Sequence, residues 1–194
     1  MPFACLSLAH RVVRASHVAA ALVLVAVTAV PSWAQSKVTA AELESYRLTT
    51  PNVEKLVPVA RNLKALETDE EVVRWVAEQR AKSDQEEETA PATDRYSGVA
   101  MVNRMITLSG QPKVRRAVES AGISVRDYAL TMVAMPTSVT IVSKEQQSGA
   151  KANTAEMAKN LTGAQLDNAN LVRANWTRVM TLMTEVEKYK LKEP

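Results

Sequence analysis

Residues 125–142 read VRDYALTMVAMPTSVTIV, and this stretch decides the fold. Apolar side chains recur in it at intervals of three and four residues, the spacing of one face of an α-helix. No charged residue lies between Asp127 and Lys144, and further apolar residues widen the stripe beyond one face. A helix that is apolar on most sides must be covered on most sides, so the sequence predicts a central helix surrounded by others. The stripe consists of Val125, Tyr128, Met132, Met135, Val139 and Val142.

Pro136 interrupts this pattern and leaves alternatives open. A helix ending at Met135, with Pro136 as the first residue of a new helix, needs no strained geometry. A kink within one continuous helix would instead open a cavity lined by Met132, Met135 and Val139. The β-branched run at residues 138–143, SVTIVS, leaves a strand as a third alternative.

Helix start and stop signals divide the rest of the chain. Thr50 before Pro51 predicts a capped helix start, and Thr68 with Glu71 predicts a capping box. The polar stretch at residues 83–93, SDQEEETAPAT, predicts an acidic mobile loop. Residues 151–159 form either a short helix or an ordered loop. Together these signals predict an all-α fold, a single-domain bundle of five or six helices over residues 35–194.

Residues 1–34 have the features of a secretory signal peptide. Arg11 and Arg14 precede an uncharged apolar run at residues 18–30, and Ser32 and Ala34 supply the small residues of a cleavage site. An uncleaved membrane anchor is the alternative, but a run of about 13 residues is shorter than the ~20 that a spanning helix needs. The sequence therefore predicts cleavage after Ala34, a periplasmic or secreted bacterial protein, and no stable membrane span afterwards.

The chain after residue 34 contains no Cys, His or Phe, because Cys5, His10, His17 and Phe3 all precede the cleavage site. This excludes disulfides, thiol nucleophiles, a His general base and zinc sites of the Cys/His type. Residues 1–34 hold two of the 24 basic residues and none of the 21 acidic ones, which leaves a net charge of +1. A charge this small gives no reason to predict a nucleic-acid partner.

Other sequence patterns that could indicate catalysis or metal binding are better explained as chance matches or solvated surface charges. The Ser148–Lys151 pair has the Ser-x-x-Lys spacing of penicillin-binding enzymes, but no Lys-Thr-Gly element accompanies it. Adjacent acids at residues 86–88 do not resemble a calcium loop, since no turn glycine follows them. No catalytic residue, metal site or cofactor is predicted. The carboxylates that remain as acid–base candidates are Glu42, Glu78, Glu119 and Glu156, which polar surroundings mark as solvated surface groups.

Methionines are numerous along the central and last helices. Met is flexible and fills irregular space, so these side chains fit either an ordinary core or an adaptable apolar groove. The predicted groove would be lined by Met132, Met135, Val139, Trp176, Met180 and Met183.

The stretches AGISVRDYALTMVAM and NLVRANWTRVMTLM resemble a group of exported bacterial α-helical proteins known mainly as hypothetical proteins. The matching residues are Gly122, Ser124, Arg126, Asp127 and Tyr128, followed by Asn168 and Asn170. This resemblance implies a bacterial envelope protein and assigns no activity. The string LTGAQ at residues 161–165 is similar to the Leu-Thr-x-x-Gln motif of periplasmic chaperones of the Spy and CpxP type, and physically it is a staple with a capping box.

These observations predict a non-enzymatic exported protein that binds a protein or an apolar ligand. A hydrolase-type enzyme using carboxylate or Ser/Lys chemistry is one alternative, and a chaperone-like stress protein is another.

Overall fold

The computed structural model describes residues 37–89, 97–147 and 161–189, with the backbone alone for residues 86–89. Nine helices and no strand lie within these residues, which confirms the all-α class. The predicted signal peptide, residues 151–159 and the Ser148–Lys151 pair lie outside the described residues. The helices are α1 Ala40–Ser45, α2 Thr50–Glu54, α3 Leu56–Lys64, α4 Glu70–Thr89, α5 Gly98–Leu108, α6 Pro112–Glu119, α7 Val125–Gln147, α8 Gly163–Ala174 and α9 Trp176–Lys188.

Two pairs of consecutive helices are each separated by a single residue. Lys55 separates α2 from α3, and Asn175 separates α8 from α9. Pro58 lies in the first turn of α3 and has no N–H to donate to the carbonyl of Glu54, so the break falls three residues before the proline. The side-chain amide of Asn175 donates to the carbonyl of Leu171 at 2.9 Å, which gives a hydrogen-bond partner to a carbonyl in the last turn of α8.

Most predicted helix starts are confirmed, with shifts of one residue at two of them. Thr49, rather than Thr50, accepts the N–H of Asn52, and Asp69, rather than Thr68, accepts the N–H of Val72 at 3.2 Å. At α8 both halves of the capping box form between Thr162 and Gln165. The shifts arise because neighbouring Thr and Asp residues are all able to cap a helix, and the backbone selects one of them.

The predicted loop at residues 83–93 is wrong for residues 83–89, which continue α4 as a helix. Gln and Glu have high helix propensity, so a polar segment rich in them extends a helix that has already begun. Residues 90–93 lie outside the described residues. Polarity in this segment therefore indicates an exposed helix rather than a loop.

Helix α7 is the centre of the fold, as its sequence predicts. It packs most extensively against α8 and α5, and it also contacts α2 and α6. Ala129, Leu130, Met135 and Val142 are among its buried residues. The largest hydrophobic cluster joins α7 to α2, α3, α8 and α9 through Val53, Leu56, Met135, Val139, Val142, Ala169, Val172 and Val179. No helix within the described residues is long and apolar enough to cross a membrane.

Pro136 lies inside α7, and the helix continues on both sides of it. The predicted helix end at Met135 and the alternative strand at residues 138–143 are therefore both wrong. Proline removes one backbone hydrogen bond, but Pro136 faces solvent, where water is available to the carbonyl that loses its donor. Around the proline, the hydroxyls of Thr137, Ser138 and Thr140 each donate to the carbonyl four residues earlier, at 2.7–3.0 Å.

We expect Pro136→Ala to stabilise the protein by about 2 kcal/mol. Proline in a helix interior costs ~3 kcal/mol relative to alanine, and about 1 kcal/mol of this is offset because proline also restricts the unfolded chain. Urea denaturation followed by circular dichroism measures the change. Pro112→Ala is the control and should bring no gain, because Pro112 occupies the first turn of α6, where proline is favoured. A less stable Pro136→Ala variant would show that the packing of α7 requires the proline.

Candidate functional site

The residues predicted to line an apolar groove are brought together by the fold, with one exception. Met135 and Val139 are buried in the largest hydrophobic cluster, and Met132, Trp176 and Met183 pack against it. Met180 faces away and is 38% exposed. Met132, Met135 and Val139 thus contact core side chains, and none of the four clefts found on the described residues is lined by any of the six. An apolar groove at these positions remains a prediction.

The residues that carry the resemblance near α7 have structural roles. Gly122 adopts a left-handed backbone conformation with φ of 78°, which ends the turn after α6. Ser124 Oγ accepts the N–H of Asp127 at 3.0 Å and donates to its carboxylate at 2.7 Å, forming the start of α7. Arg126 Nε donates to Glu42 Oε1 at 2.6 Å and thereby ties α7 to α1. These roles explain a shared sequence pattern without requiring a shared activity.

A polar junction links Tyr46, the residue after α1, to α2 and α7. The Tyr46 hydroxyl lies 2.8 Å from Thr131 Oγ1 and accepts from Asn52 Nδ2 at 3.2 Å. Burial raises the pKa of the Tyr46 phenol above its usual value, and the hydrogen bonds with Thr131 and Asn52 partly oppose that rise. Burial alone raises the pKa of Tyr128. Both phenols therefore stay neutral at physiological pH and serve packing rather than acid–base chemistry.

The start of α4 is tied to α6 by a charged group of three residues. Lys113 Nζ donates to both carboxylate oxygens of Asp69, at 2.8 and 3.0 Å, and lies 2.9 Å from a carboxylate oxygen of Glu71. The hydrogen bond from Lys113 lowers the pKa of Asp69, with help from the backbone N–H of Val72. Hydrogen bonds to Asp69 and Glu71 raise the pKa of Lys113. Asp69 and Lys113 are consequently both charged across the physiological range.

One cleft, here called the Trp75 cleft, lies beside this charged group. It has a volume of about 330 Å³ and is lined by Glu71, Arg74, Trp75, Glu78, Gly110, Gln111 and Pro112. Trp75 Nε1 donates to the carbonyl of Leu108 at 3.2 Å, which fixes the indole against the end of α5. Gln111 is buried and fully used, since its oxygen accepts the N–H of Val114 and its nitrogen donates to Glu71. The buried amide and the indole in the wall of this cleft are therefore both hydrogen-bonded within the protein.

A second cleft, the α4–α5 cleft, contains a buried polar side chain that has no hydrogen-bond partner among the described residues. It has a volume of about 350 Å³ and is lined by Gln79, Arg80, Ser83, Asp84, Arg104 and Leu108. Gln79 is only 8% exposed, yet its side-chain amide has no hydrogen-bond partner among the described residues. Arg80 and Asp84 likewise have no ion-pair partner within the described part of the chain. Buried polar groups in proteins are nearly always satisfied, so Gln79 requires an explanation.

No protein family, curated protein or solved structure matches this chain. The site must therefore be judged on its own geometry. Among the described residues, no group of three or more acidic, His or Cys side chains is placed to hold a metal ion. The carboxylate candidates do not form a pair: Glu42 is bonded to Arg126, Glu78 lies in the Trp75 cleft, Glu119 is exposed on α6, and Glu156 lies outside the described residues.

Sequence analysis did not identify the α4–α5 cleft. A signal was present, because Val72, Val76, Gln79 and Ser83 follow the spacing of one helical face. Gln79 therefore continues the buried face of α4 with a polar residue. The prediction of a loop from residue 83 concealed this continuation.

Proposed function

We propose that this chain is an exported, non-enzymatic binding protein of the bacterial envelope, and that it contacts its partner through the α4–α5 side. The proposal includes cleavage after Ala34 and a single helical domain from residue 35 onward, formed as a bundle. It also includes membership of the exported helical proteins that the sequence resembles. Support for export comes from the charged, apolar and small-residue pattern of residues 1–34.

The observation that carries the binding role is the buried, unpartnered amide of Gln79 in an open cleft. Two further features lie on the same side. Val73 is 51% exposed and shares a helix side with Arg80, seven residues later, while Met101 is 53% exposed one turn before Arg104. Exposed apolar side chains beside polar groups are typical of a contact surface.

Photocrosslinking in the native bacterium tests this proposal. The photoreactive residue p-benzoylphenylalanine replaces Val73 in one strain and Met180 in another, so that both probes replace exposed apolar residues. We expect discrete crosslinked species from position 73 and none from position 180. The uncrosslinked protein from the same periplasmic fraction should have an intact mass corresponding to a chain that begins at Gln35.

The two positions decide between specific contact and random collision. Identical adducts from both probes, or none from position 73, would contradict a contact surface on the α4–α5 side. Recovery of the chain with residues 1–34 in the membrane fraction would contradict export. A hydrolase-type enzyme, the alternative, has no paired nucleophile and base among the described residues to support it. A chaperone-like role rests on the LTGAQ string, which here caps α8.

A further inference from the structure

Gln79 is an exception among the buried polar side chains of the described residues. Each of the others has a hydrogen-bond partner within the protein, and these are Ser109, Gln111, Thr131, Ser138 and Asn168. A glutamine amide has two N–H donors and an oxygen acceptor. A buried amide that leaves these groups unused lowers stability, so it is expected where another molecule supplies the partners.

The charged groups of the α4–α5 cleft give a ligand no reason to carry a charge. Arg80 and Asp84 have opposite charges and lie one turn apart on α4. Arg104 already has an interaction partner within the protein. A carboxylate or an ammonium group therefore gains little in this cleft, which favours an uncharged ligand that binds through hydrogen bonds.

The groups that remain for such a ligand lie on one face of α4. Gln79 and Ser83 are one turn apart and both line the cleft. Ser83, like Gln79, has no hydrogen-bond partner among the described residues. The planar amide of Gln79 presents an N–H and an oxygen along one edge. A second carboxamide matches that edge, because its own oxygen and N–H complete two parallel hydrogen bonds with Gln79.

We propose that the α4–α5 cleft binds a polypeptide partner through the carboxamide of an asparagine or glutamine side chain. Gln79 pairs with that carboxamide, and the Ser83 hydroxyl bonds to the N–H or the oxygen lone pair that this pairing leaves over. Leu108 contacts the methylene groups of the same side chain. This inference rests on the proposed binding function and specifies the group that is bound.

The size of the cleft and its surroundings favour a side chain held by a polypeptide. Its volume of about 350 Å³ is close to the lower limit of ~300 Å³ for ligand pockets in proteins. Such a cleft accommodates one or two side chains rather than a folded domain. Val73 and Met101, exposed outside the cleft, supply apolar contacts for the flanking parts of a polypeptide and none for a small free amide.

Peptide titrations into the ¹⁵N-labelled protein, followed by nuclear magnetic resonance, test this assignment. The probes are acetyl-Ala-Gln-Ala-N-methylamide and the same peptide with Glu or Met at the centre, so that only one side chain differs. We expect the Gln peptide to shift the side-chain amide resonances of Gln79 and to bind at least about tenfold more tightly than the other two. Raising the salt concentration should leave this affinity unchanged, because the peptide is uncharged.

Gln79→Leu separates binding from folding. Leucine has a similar size and no polar atoms, so it removes the unsatisfied amide from the interior without creating a cavity. We expect the variant to fold with equal or higher stability and to bind the Gln and Met peptides equally weakly. Gln85→Leu is the matched control and should bind as the unmutated protein does, because Gln85 is exposed on the same helix and does not line the cleft.

The unmutated protein alone can contradict the proposal, whatever the stability of the variants. Equal affinity for the Gln and Met peptides, or tighter binding of the Glu peptide, would overturn it. Absence of binding by all three would show that water satisfies Gln79, and would overturn it as well. Propionamide, a free carboxamide, should bind far more weakly than the Gln peptide, and equal affinity would exclude a polypeptide partner at this cleft. Specific crosslinks from position 73 would still support the binding function after any of these failures.

Discussion

A Met135→Asp variant should fail to fold. Met135 is 4% exposed in the cluster where α7 meets α2, α8 and α9. The substitution removes apolar contacts worth roughly 2–5 kcal/mol. It also places a carboxylate among the hydrophobic side chains of that cluster, at a cost of several kcal/mol. The sum approaches the 5–15 kcal/mol that stabilises a typical domain.

Met180→Asp is the matched control for this variant, because it makes the same chemical change at an exposed position. Met180 is 38% exposed on α9, so its replacement should alter the free energy of unfolding by no more than about 0.5 kcal/mol. Circular dichroism and thermal denaturation of both variants measure the contrast. A folded Met135→Asp protein with a normal melting temperature would show that the cluster around α7 is open rather than packed.

The central helix was predictable because its sequence is compatible with few other structures. An apolar stripe from Val125 to Val142, with no charge between Asp127 and Lys144, is compatible with a helix covered on most sides. Its start is marked by residue type, since Ser and Asp favour helix starts and Ser124 accepts the N–H of Asp127 there. Its continuation through Pro136 was not predictable, because the cost of proline depends on whether that position faces solvent or core.

The candidate site depends on facts that a sequence does not contain. Gln79 is a polar residue on a helix rich in polar residues, and only the packing of α5 against α4 makes it buried. The grouping of Arg104 with Arg80 likewise arises from a tertiary contact between residues 24 positions apart. Met180 was wrongly grouped with the apolar face of α9, because Val179 and Met183 face the hydrophobic cluster whereas Met180, between them, is exposed. The local sequence pattern therefore predicted the helices, whereas packing between residues distant in the sequence determined the site.

Asn168→Ala should destabilise the protein by about 2–4 kcal/mol. The side chain is 4% exposed on α8 and bonds at both ends to the segment that connects α1 to α2. Its oxygen accepts the N–H of Leu48 at 2.6 Å, and its nitrogen donates to the carbonyl of Tyr46 at 2.8 Å. Alanine leaves these two backbone groups without their partner, and an unsatisfied buried group costs roughly 1–3 kcal/mol.

The loss of stability in Asn168→Ala should be specific to the hydrogen bonds of this side chain. Asn170→Ala, two residues further along the same helix, removes an exposed amide and should change stability by less than about 0.5 kcal/mol. Asn168→Asp separates the two hydrogen bonds, because a carboxylate still accepts the N–H of Leu48 but has no N–H for the carbonyl of Tyr46. Urea denaturation should therefore rank the proteins as wild type, then Asn170→Ala close to it, with both Asn168 variants clearly lower. Hydrogen exchange at the Leu48 amide adds a local measurement. In Asn168→Ala, the exchange rate of this amide should rise by more than the rise expected from the lower free energy of unfolding. A rate no higher than global unfolding predicts would show that Asn168 does not stabilise the segment between α1 and α2.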